Sequence, residues 1–313
     1  MPPVASLLAA AETATGGFSA RDTEELLRQP LIIVSAPRSG SNLLFEVMSR
    51  VPGFWTIGGE SHAIYAAFPH LRAENTALDS GSLGRAHADA ETCRRVRNCF
   101  LYLMRDHRGV PWIRMPAAER PPEICLLEKT PRNALNIPFL LEVFPGARFI
   151  FLHRDAHENV ASIIEAWKVG LETGRFVTFR NLPGWDRRAW CFLLPPGWRS
   201  LIGKSQADIA AFQWSASNNI ILDHLTGLPA GRWLPVSYGE LVANPGKTLR
   251  RLARFAGVAV PEEELPAGPL PWSRTTLTAP DSGKWKRHEQ ELRDLAPLLR
   301  ETEKRIRRIY QDL

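Results

Sequence analysis

Short apolar runs alternating with helical patterns predict an α/β fold: three layers, with a central, mostly parallel sheet and helices on both faces. The runs Leu31–Ala36, Ile124–Lys129 and Arg148–His153 are the first observation. They are dense in Leu, Ile, Val and Phe, as expected of strands buried on both faces. A further strand is read over Arg232–Tyr238. The second observation is a turn of small residues, 37–41, set between the first run and an amphipathic helix over Asn42–Val51. That order makes a P-loop-like strand–loop–helix unit. Ligands of parallel sheets sit beyond the carboxyl ends of the strands. The turns after Ala36, Lys129, His153 and Tyr238 are therefore expected to converge on one site.

Residues 4–28 read as one helix, with Asp22 capping Glu24-Glu25-Leu26-Leu27 and Pro30 ending it. Helices are expected over 134–144, 156–168, 206–225 and 247–256, and the last 28 residues read as one charged amphipathic helix. Of 22 Gly and 25 Pro, many fall in 170–200 and 257–283, which therefore read as long loops.

A composition of 44% hydrophobic and 23% charged residues excludes a disordered or fibrous chain. No stretch approaches the 18 or so apolar residues of a membrane span. The apolar N-terminal run lacks a basic region and is closed by Glu12, so it does not read as a signal peptide. Cys93, Cys99, Cys125 and Cys191 form no CxxC pair and no zinc spacing. Free thiols in a reducing cytoplasm are expected, with no metal site. The net charge is +6, and only seven of 39 basic residues are Lys. An Arg excess reflects either genomic base composition or anion recognition by guanidinium groups. The runs at 94–97 and 305–308 read as composition or solvated surface, so the positions of other Arg residues must decide.

A strand, a small-residue turn and a helix N-terminus form an anion cradle of backbone N–H groups. Laid over the triphosphate pattern GxxxxGK[ST], the segment Ser35–Asn42 puts Ser41 at the Lys and Asn42 at the metal-binding hydroxyl. A cation, Arg38, stands inside the loop instead. Ala36-Pro37-Arg38-Ser39-Gly40-Ser41 resembles the 5′-phosphosulfate loop, Pro-[Lys/Arg]-Ser-Gly-[Ser/Thr], of sulfotransferases that use 3′-phosphoadenosine-5′-phosphosulfate (PAPS). The resemblance points to tyrosylprotein sulfotransferases and to the sulfotransferase domains of bacterial polyketide assembly lines. It implies that Pro37, Arg38, Ser39, Gly40, Ser41 and Asn42 bind the donor without a metal, and that the product is 3′-phosphoadenosine-5′-phosphate (PAP).

The family reads the 3′-phosphate with an Arg at a strand end and a Ser eight residues on. Arg154 and Ser162 have that spacing. Val236–Pro245 resembles the family's Tyr-Glu-x-Leu-Val-x-x-Pro stretch, which places Tyr238 near the adenine. Ser282-Gly283-Lys284-Trp285 resembles a late element that closes over the nucleotide, so Ser282, Lys284 and Trp285 join the donor site. The resemblance implies a single sulfotransferase domain over 1–313; 62–122 and 169–205 carry none of the family's pattern and read as acceptor-side helical or loop insertions.

Sulfuryl transfer to a hydroxyl needs a base for the acceptor proton and cations for the transferring oxygens and departing phosphate. Arg38 and Lys129 are the candidate cations. Gly58–His62 resembles the family's Glu-Glu-Thr or Glu-Leu-His element, which implies Glu60 as base with His62 as rival. Trp185, Trp190 and Trp198 read as an acceptor lid, or as a hydrophobic cluster or dimer contact under a long loop. Trp214 is expected in the core. The acceptor is a hydroxyl compound, whether small molecule, lipid, glycan or carrier-bound, and the oligomeric state stays open, with a homodimer compatible. Two rivals remain: a P-loop kinase of a small molecule, against which the missing Gly-Lys-Ser/Thr speaks, and a non-catalytic nucleic-acid-binding protein, against which the absence of Lys tracts and paired stacking aromatics speaks.

Overall fold

The computed structural model describes residues 4–76, 78–121, 123–278 and 283–311. Its strands are β1 (Leu31–Val34), β2 (Phe54–Trp55), β3 (Cys125–Lys129), β4 (Arg148–His153), β5 (Val177–Arg180), β6 (Ala189–Cys191) and β7 (Trp233–Ser237). Five of them form one parallel sheet in the order β2-β3-β1-β4-β7. β5 and β6 pair separately as an antiparallel hairpin. The helices are α1 (Val4–Thr15), α2 (Ala20–Leu26), α3 (Ser41–Met48), α4 (His62–Ala67), α5 (Ala90–Leu103), α6 (Ile137–Val143), α7 (Ala156–Thr173), α8 (Gln206–Leu225), α9 (Tyr238–Ala243), α10 (Pro245–Ala256), α11 (Glu289–Asp294) and α12 (Ala296–Arg308).

The α/β class and the three layers hold. Along β1, Leu31 and Ile33 enter one core with Phe45 and Met48 of α3 and Leu249 and Leu252 of α10. Ile32 and Val34 enter the other, larger core with α1, α5, α7 and α8. A strand covered on both faces has no solvent side, which is why its sequence shows no polar alternation. From β1 the chain runs to β2 and β3 on one side, then returns to β4 on the other. That reversal opens a crevice at the carboxyl end of β1.

Several boundaries differ from expectation. The single helix over 4–28 breaks after Thr15, at Gly16-Gly17, into α1 and α2. Ser19, not Asp22, caps α2: its hydroxyl accepts from Asp22 N at 3.1 Å, and the Asp22 carboxylate accepts back from Ser19 N at 2.8 Å. The helix expected over 134–144 begins at Ile137, because Pro131–Leu135 forms a 3₁₀ turn. The strand expected to reach Tyr238 stops at Ser237, whose hydroxyl accepts from Glu240 N at 3.0 Å and starts α9. The C-terminal helix is three pieces: a 3₁₀ turn Lys284–His288, then α11, then α12 opened by Pro297. Arg97, within a run expected on the surface, is buried, donating to Val143 O at 2.7 Å and pairing with Glu24.

The segment expected as an irregular loop, 170–200, carries the β5–β6 hairpin. Its Trp185, Trp190 and Trp198 meet one another at 4.8 to 6.0 Å between ring centroids, and Trp190 also meets Trp167 of α7. Each indole of the three donates to a carbonyl, on Ala189, Leu193 and Leu78 respectively. These rings are core, not an acceptor lid, and Trp214 is likewise fully buried. The four cysteines are buried free thiols. No helix among the described residues is long and apolar enough to cross a membrane.

Candidate functional site

A cavity of about 1000 Å³ opens where the sheet's strands end. The turns after β1 and β4, the start of α9, Phe176 and the start of β5, Phe192 and Leu193 just after β6, and the segment 269–278 line it. Of the residues expected at the site, Pro37, Arg38, Gly40, Ser41, Asn42, Glu60, His62, Arg154, Ser162, Tyr238, Lys284 and Trp285 reach this one cavity. Ser39 and Lys129 do not: Ser39 is fully buried, its hydroxyl donating to Asn159 Oδ1 at 2.6 Å, and Lys129 is buried behind Asn42 and Glu60. Ser282 lies outside the described residues.

The loop after β1 is held in an unusual backbone shape. Arg38 has φ of 64° and Gly40 of 97°. At Gly40 an added Cβ would stand 2.4 Å from Cδ2 of Tyr238, so the loop passes directly under that ring. Asn159, buried in α7, clamps it from behind, accepting from Ser39 and donating through Nδ2 to Pro37 O at 2.7 Å. The Arg38 guanidinium crosses the cavity wall, donating from Nε to Ser162 Oγ at 3.4 Å and from Nη1 to Thr275 O at 3.1 Å. Burial, then the charges of Arg175 and Arg154, push its pKa down to about 10. Arg38 thus stands in the cavity wall with no carboxylate partner among the described residues, and the positive field of Arg175 and Arg154 bears on it.

On the other side of the loop, Lys129 leaves the end of β3, nearly buried. Its ammonium donates to Asn42 Oδ1 and to Glu60 Oε1. Glu60 Oε2 lies 2.9 Å from His62 Nε2. Burial alone pushes the Glu60 carboxyl up, but the His62 and Lys129 contacts outweigh it and hold the pKa at about 2. Asn42 completes the group, donating from Nδ2 to Thr275 Oγ1 at 2.8 Å. A carboxylate, a cation and an imidazole thus stand together at the N-terminus of α3.

Arg154 and Ser162 face the same cavity with different partners. Arg154 pairs with Glu158 one turn on, at 2.9 Å, and its guanidinium lies 4.6 Å from the centre of the Tyr238 ring. Lys284 donates to Thr278 Oγ1 at 2.5 Å, and Trp285 packs against the His157 ring at 5.3 Å.

Sequence reasoning missed Asn159, Thr275, Arg175 and the pair Phe176 and Phe192. The two phenylalanines stack at 5.3 Å, and Phe176 lies 5.2 Å from the Arg38 guanidinium and 4.9 Å from that of Arg175. Both have left-handed backbone, φ 69° and 66°. Of the five non-glycine residues with positive φ among the described residues, three line the cavity: Arg38, Phe176 and Phe192. Strain of that kind collects at ligand sites. Only Asn159 left a trace in the sequence, as a polar residue on an otherwise apolar helix face.

The family model described as "Sulfotransferase family" matches residues 30–262. The chain belongs to the sulfotransferase family. Among curated proteins this sulfotransferase is similar to protein-tyrosine sulfotransferase A of Caenorhabditis elegans, 23% identical over 230 residues, which cover 73% of this chain and 50% of that protein. The chain thus spans about half the length of the curated relative it matches. Similar solved structures include the sulfotransferase domain from the curacin biosynthetic pathway, 18% identical over 85% of this chain and 98% of the other, with a TM-score of 0.43. Another is mouse sulfotransferase SULT7A1 complexed with PAP, 14% identical over 91% and 90% of the two chains, with a TM-score of 0.46. A third is the sulfotransferase from Alicyclobacillus acidocaldarius, 12% identical over 87% and 92%, with a TM-score of 0.47.

Proposed function

We propose that this sulfotransferase moves a sulfuryl group from PAPS to a hydroxyl of an acceptor, in line, with Glu60 as the base. The contact of Lys129 with both Asn42 and Glu60 carries the reading, because it ties the donor loop, a cation and a carboxylate into one group. PAPS, when bound, supplies an activated sulfuryl group on a phosphate leaving group. The residues present fit it: backbone N–H groups of 38–42 and the start of α3 suit the phosphosulfate, and Arg38, under the positive field of Arg175 and Arg154, suits its charge. Arg154 and Ser162 suit the 3′-phosphate, Tyr238 the adenine, and Lys284 and Trp285 the open side. Each of these roles follows the family resemblance.

Arg38 in the cavity wall and Lys129, buried just behind Asn42 and Glu60, stabilise charge on the transferring and departing oxygens. Glu60 accepts the acceptor's hydroxyl proton. In the free protein its carboxylate is weakly basic, because Lys129 and His62 stabilise its charge. When Lys129 turns to the phosphosulfate, its stabilisation of the carboxylate is lost and Glu60 becomes a stronger base. The His62–Glu60 contact supports a second reading, in which His62 is the base and Glu60 orients it. Both readings need no metal.

The hairpin segment within 169–205 is proposed as an acceptor-side insertion, because Phe176, Val177, Thr178, Phe192 and Leu193 line the cavity. From 62–122, the other proposed insertion, His62 reaches it. The four buried free thiols fit a reducing cytoplasm.

Thermal shift with PAP, with ATP and Mg²⁺, and with an oligonucleotide separates the three classes of function. Stabilisation by PAP is expected; a response to ATP and Mg²⁺ alone ends the sulfotransfer reading. With radiolabelled PAPS, Glu60→Gln should abolish turnover while PAP binding stays nearly intact. Turnover that survives Glu60→Gln and disappears in His62→Ala assigns the base to His62.

A further inference from the structure

Beneath the Glu60–His62 turn lies a polar knot sealed from solvent. Ser61, between those two residues, is fully buried. Its N–H donates to Thr130 Oγ1 at 2.7 Å, and its hydroxyl donates to Glu128 Oε1 at 2.8 Å. The two hydroxyls of Ser61 and Thr130 stand 2.9 Å apart. Asn133 Nδ2 donates to the same Glu128 oxygen at 3.0 Å, and Asn133 Oδ1 accepts from the Tyr65 hydroxyl at 3.0 Å. Glu128, Thr130 and Asn133 are each 1% exposed or less.

The strand explains the division of labour. Successive residues of β3 point to opposite faces of the sheet. Lys129 therefore turns toward α3, where it meets Asn42 and Glu60, while Glu128 and Thr130 turn under Ser61. The turn straddles the strand end, with Glu60 on the lysine's side and Ser61 plugged into the other.

We propose that Glu128 is a positioning residue: through Ser61 it fixes where Glu60 and His62 stand relative to Lys129, and it acts as a hydrogen-bond acceptor rather than as a charge. One of its oxygens receives both hydrogen bonds, from Ser61 and Asn133. The other, Oε2, is buried with no hydrogen-bond partner among the described residues. Burial pushes this carboxyl up, against the opposing contacts of Thr130 and Ser61. Because one acceptor oxygen carries both contacts, glutamine is a faithful substitute: the amide keeps that oxygen.

The inference rests on the proposed sulfuryl transfer, and the experiment separates the two. Steady-state transfer from PAPS, KM for PAPS and the PAP-induced thermal shift are measured for wild type, Glu128→Leu, Glu128→Gln and Ser61→Ala. Glu128→Leu is expected to lower kcat roughly 10²-fold, the scale of a 1 Å misplacement, with KM for PAPS and the PAP shift unchanged. Glu128→Gln is expected to restore kcat to within about 3-fold of wild type, and Ser61→Ala to lose roughly 10-fold. Because Ser61 transmits the effect, the double variant Ser61→Ala/Glu128→Leu should be no slower than Glu128→Leu alone. Glu128→Gln as slow as Glu128→Leu shows that the charge acts, and overturns the proposal. So does a loss of PAP binding in step with kcat, which marks general damage. If Glu128→Leu does not fold, Ser61→Ala decides: wild-type kcat in that variant overturns the proposal. A wild type that transfers no sulfuryl group at all overturns the function itself, whatever the variants do.

Discussion

Burial alone would raise the Glu60 carboxyl, and only His62 and Lys129 hold it at about 2. The sign of the consequence follows. A depressed carboxyl stabilises the fold above its unfolded value of about 4.5 and loses that contribution as pH falls toward 2. In kinetics, a base already ionised at pH 4 gives kcat/KM no ascending limb between about pH 4 and 9, since that parameter reports the free enzyme. Glu60 as base therefore predicts a flat acid side in a pH profile of kcat/KM. An ascending limb in the ordinary histidine range of about 6.5 assigns the proton to an imidazole. Arg154 offers a second test at this scale. Its guanidinium, against the Tyr238 ring and paired with Glu158, must leave a carboxylate to meet a phosphate. Arg154→Ala is expected to weaken PAP roughly 10- to 100-fold, the worth of one charged hydrogen-bonded contact. Adenosine 5′-phosphosulfate, which lacks the 3′-phosphate, should change little in the same titration calorimetry. Equal losses for the two nucleotides remove Arg154 from the 3′-phosphate.

At the scale of elements, β1, β3 and β4 were legible because burial on both faces writes a continuous apolar run, and the loop after β1 because its chemistry is local. β2 was not, since two residues carry no period. The break between α1 and α2 lies in Gly16-Gly17, whose freedom helical periodicity does not register. The hairpin hid among Gly and Pro, and the nearby Trp residues read equally as a lid or a hydrophobic cluster, a choice that their packing with Trp167 of α7 decides for the cluster. Lys129 and Arg154 could be placed at strand ends, but not their partners. Lys129's partner Glu60 lies 69 residues away, and Thr275, which meets Arg38, lies 237 away in a loop with no periodic pattern. Asn159 is an element-scale device whose polarity the sequence shows and whose partners it does not: one side chain of α7 holds the loop after β1 by two hydrogen bonds. Asn159→Leu leaves Ser39 and the Pro37 carbonyl unpaired in a buried place. Chemical denaturation should show a loss of about 1–3 kcal/mol per orphaned group. PAP affinity should fall as well, because the loop loses its shape. Unchanged PAP affinity in a destabilised variant means that the clamp serves the fold alone.

For the whole molecule, the charge of +6 divides by surroundings. Several arginines away from the cavity pair with carboxylates: Arg94 meets Glu91 and Glu12, Arg95 meets Glu12, and Arg305 meets Asp223. Such exposed pairs contribute little and are screened by salt. In the cavity, Arg38 bonds a hydroxyl and a carbonyl rather than a carboxylate, and it feels Arg154 and Arg175. If Arg38 in the cavity wall carries the functional charge, binding by PAP and by nucleic acid must respond differently to ionic strength. Phosphate contacts on an open basic surface release counterions and lose affinity steeply with salt. Charges inside a cavity are screened less. At a concentration 100 times its dissociation constant, PAP should stabilise the protein by about 2.7 kcal/mol. Much of that thermal shift should remain at 0.5 M NaCl, where the Debye length is about 4 Å. Any oligonucleotide binding seen at 0.05 M should be gone there. The reverse order, with oligonucleotide binding surviving 0.5 M salt and the PAP shift lost, would make the basic surface the working feature and the cavity incidental.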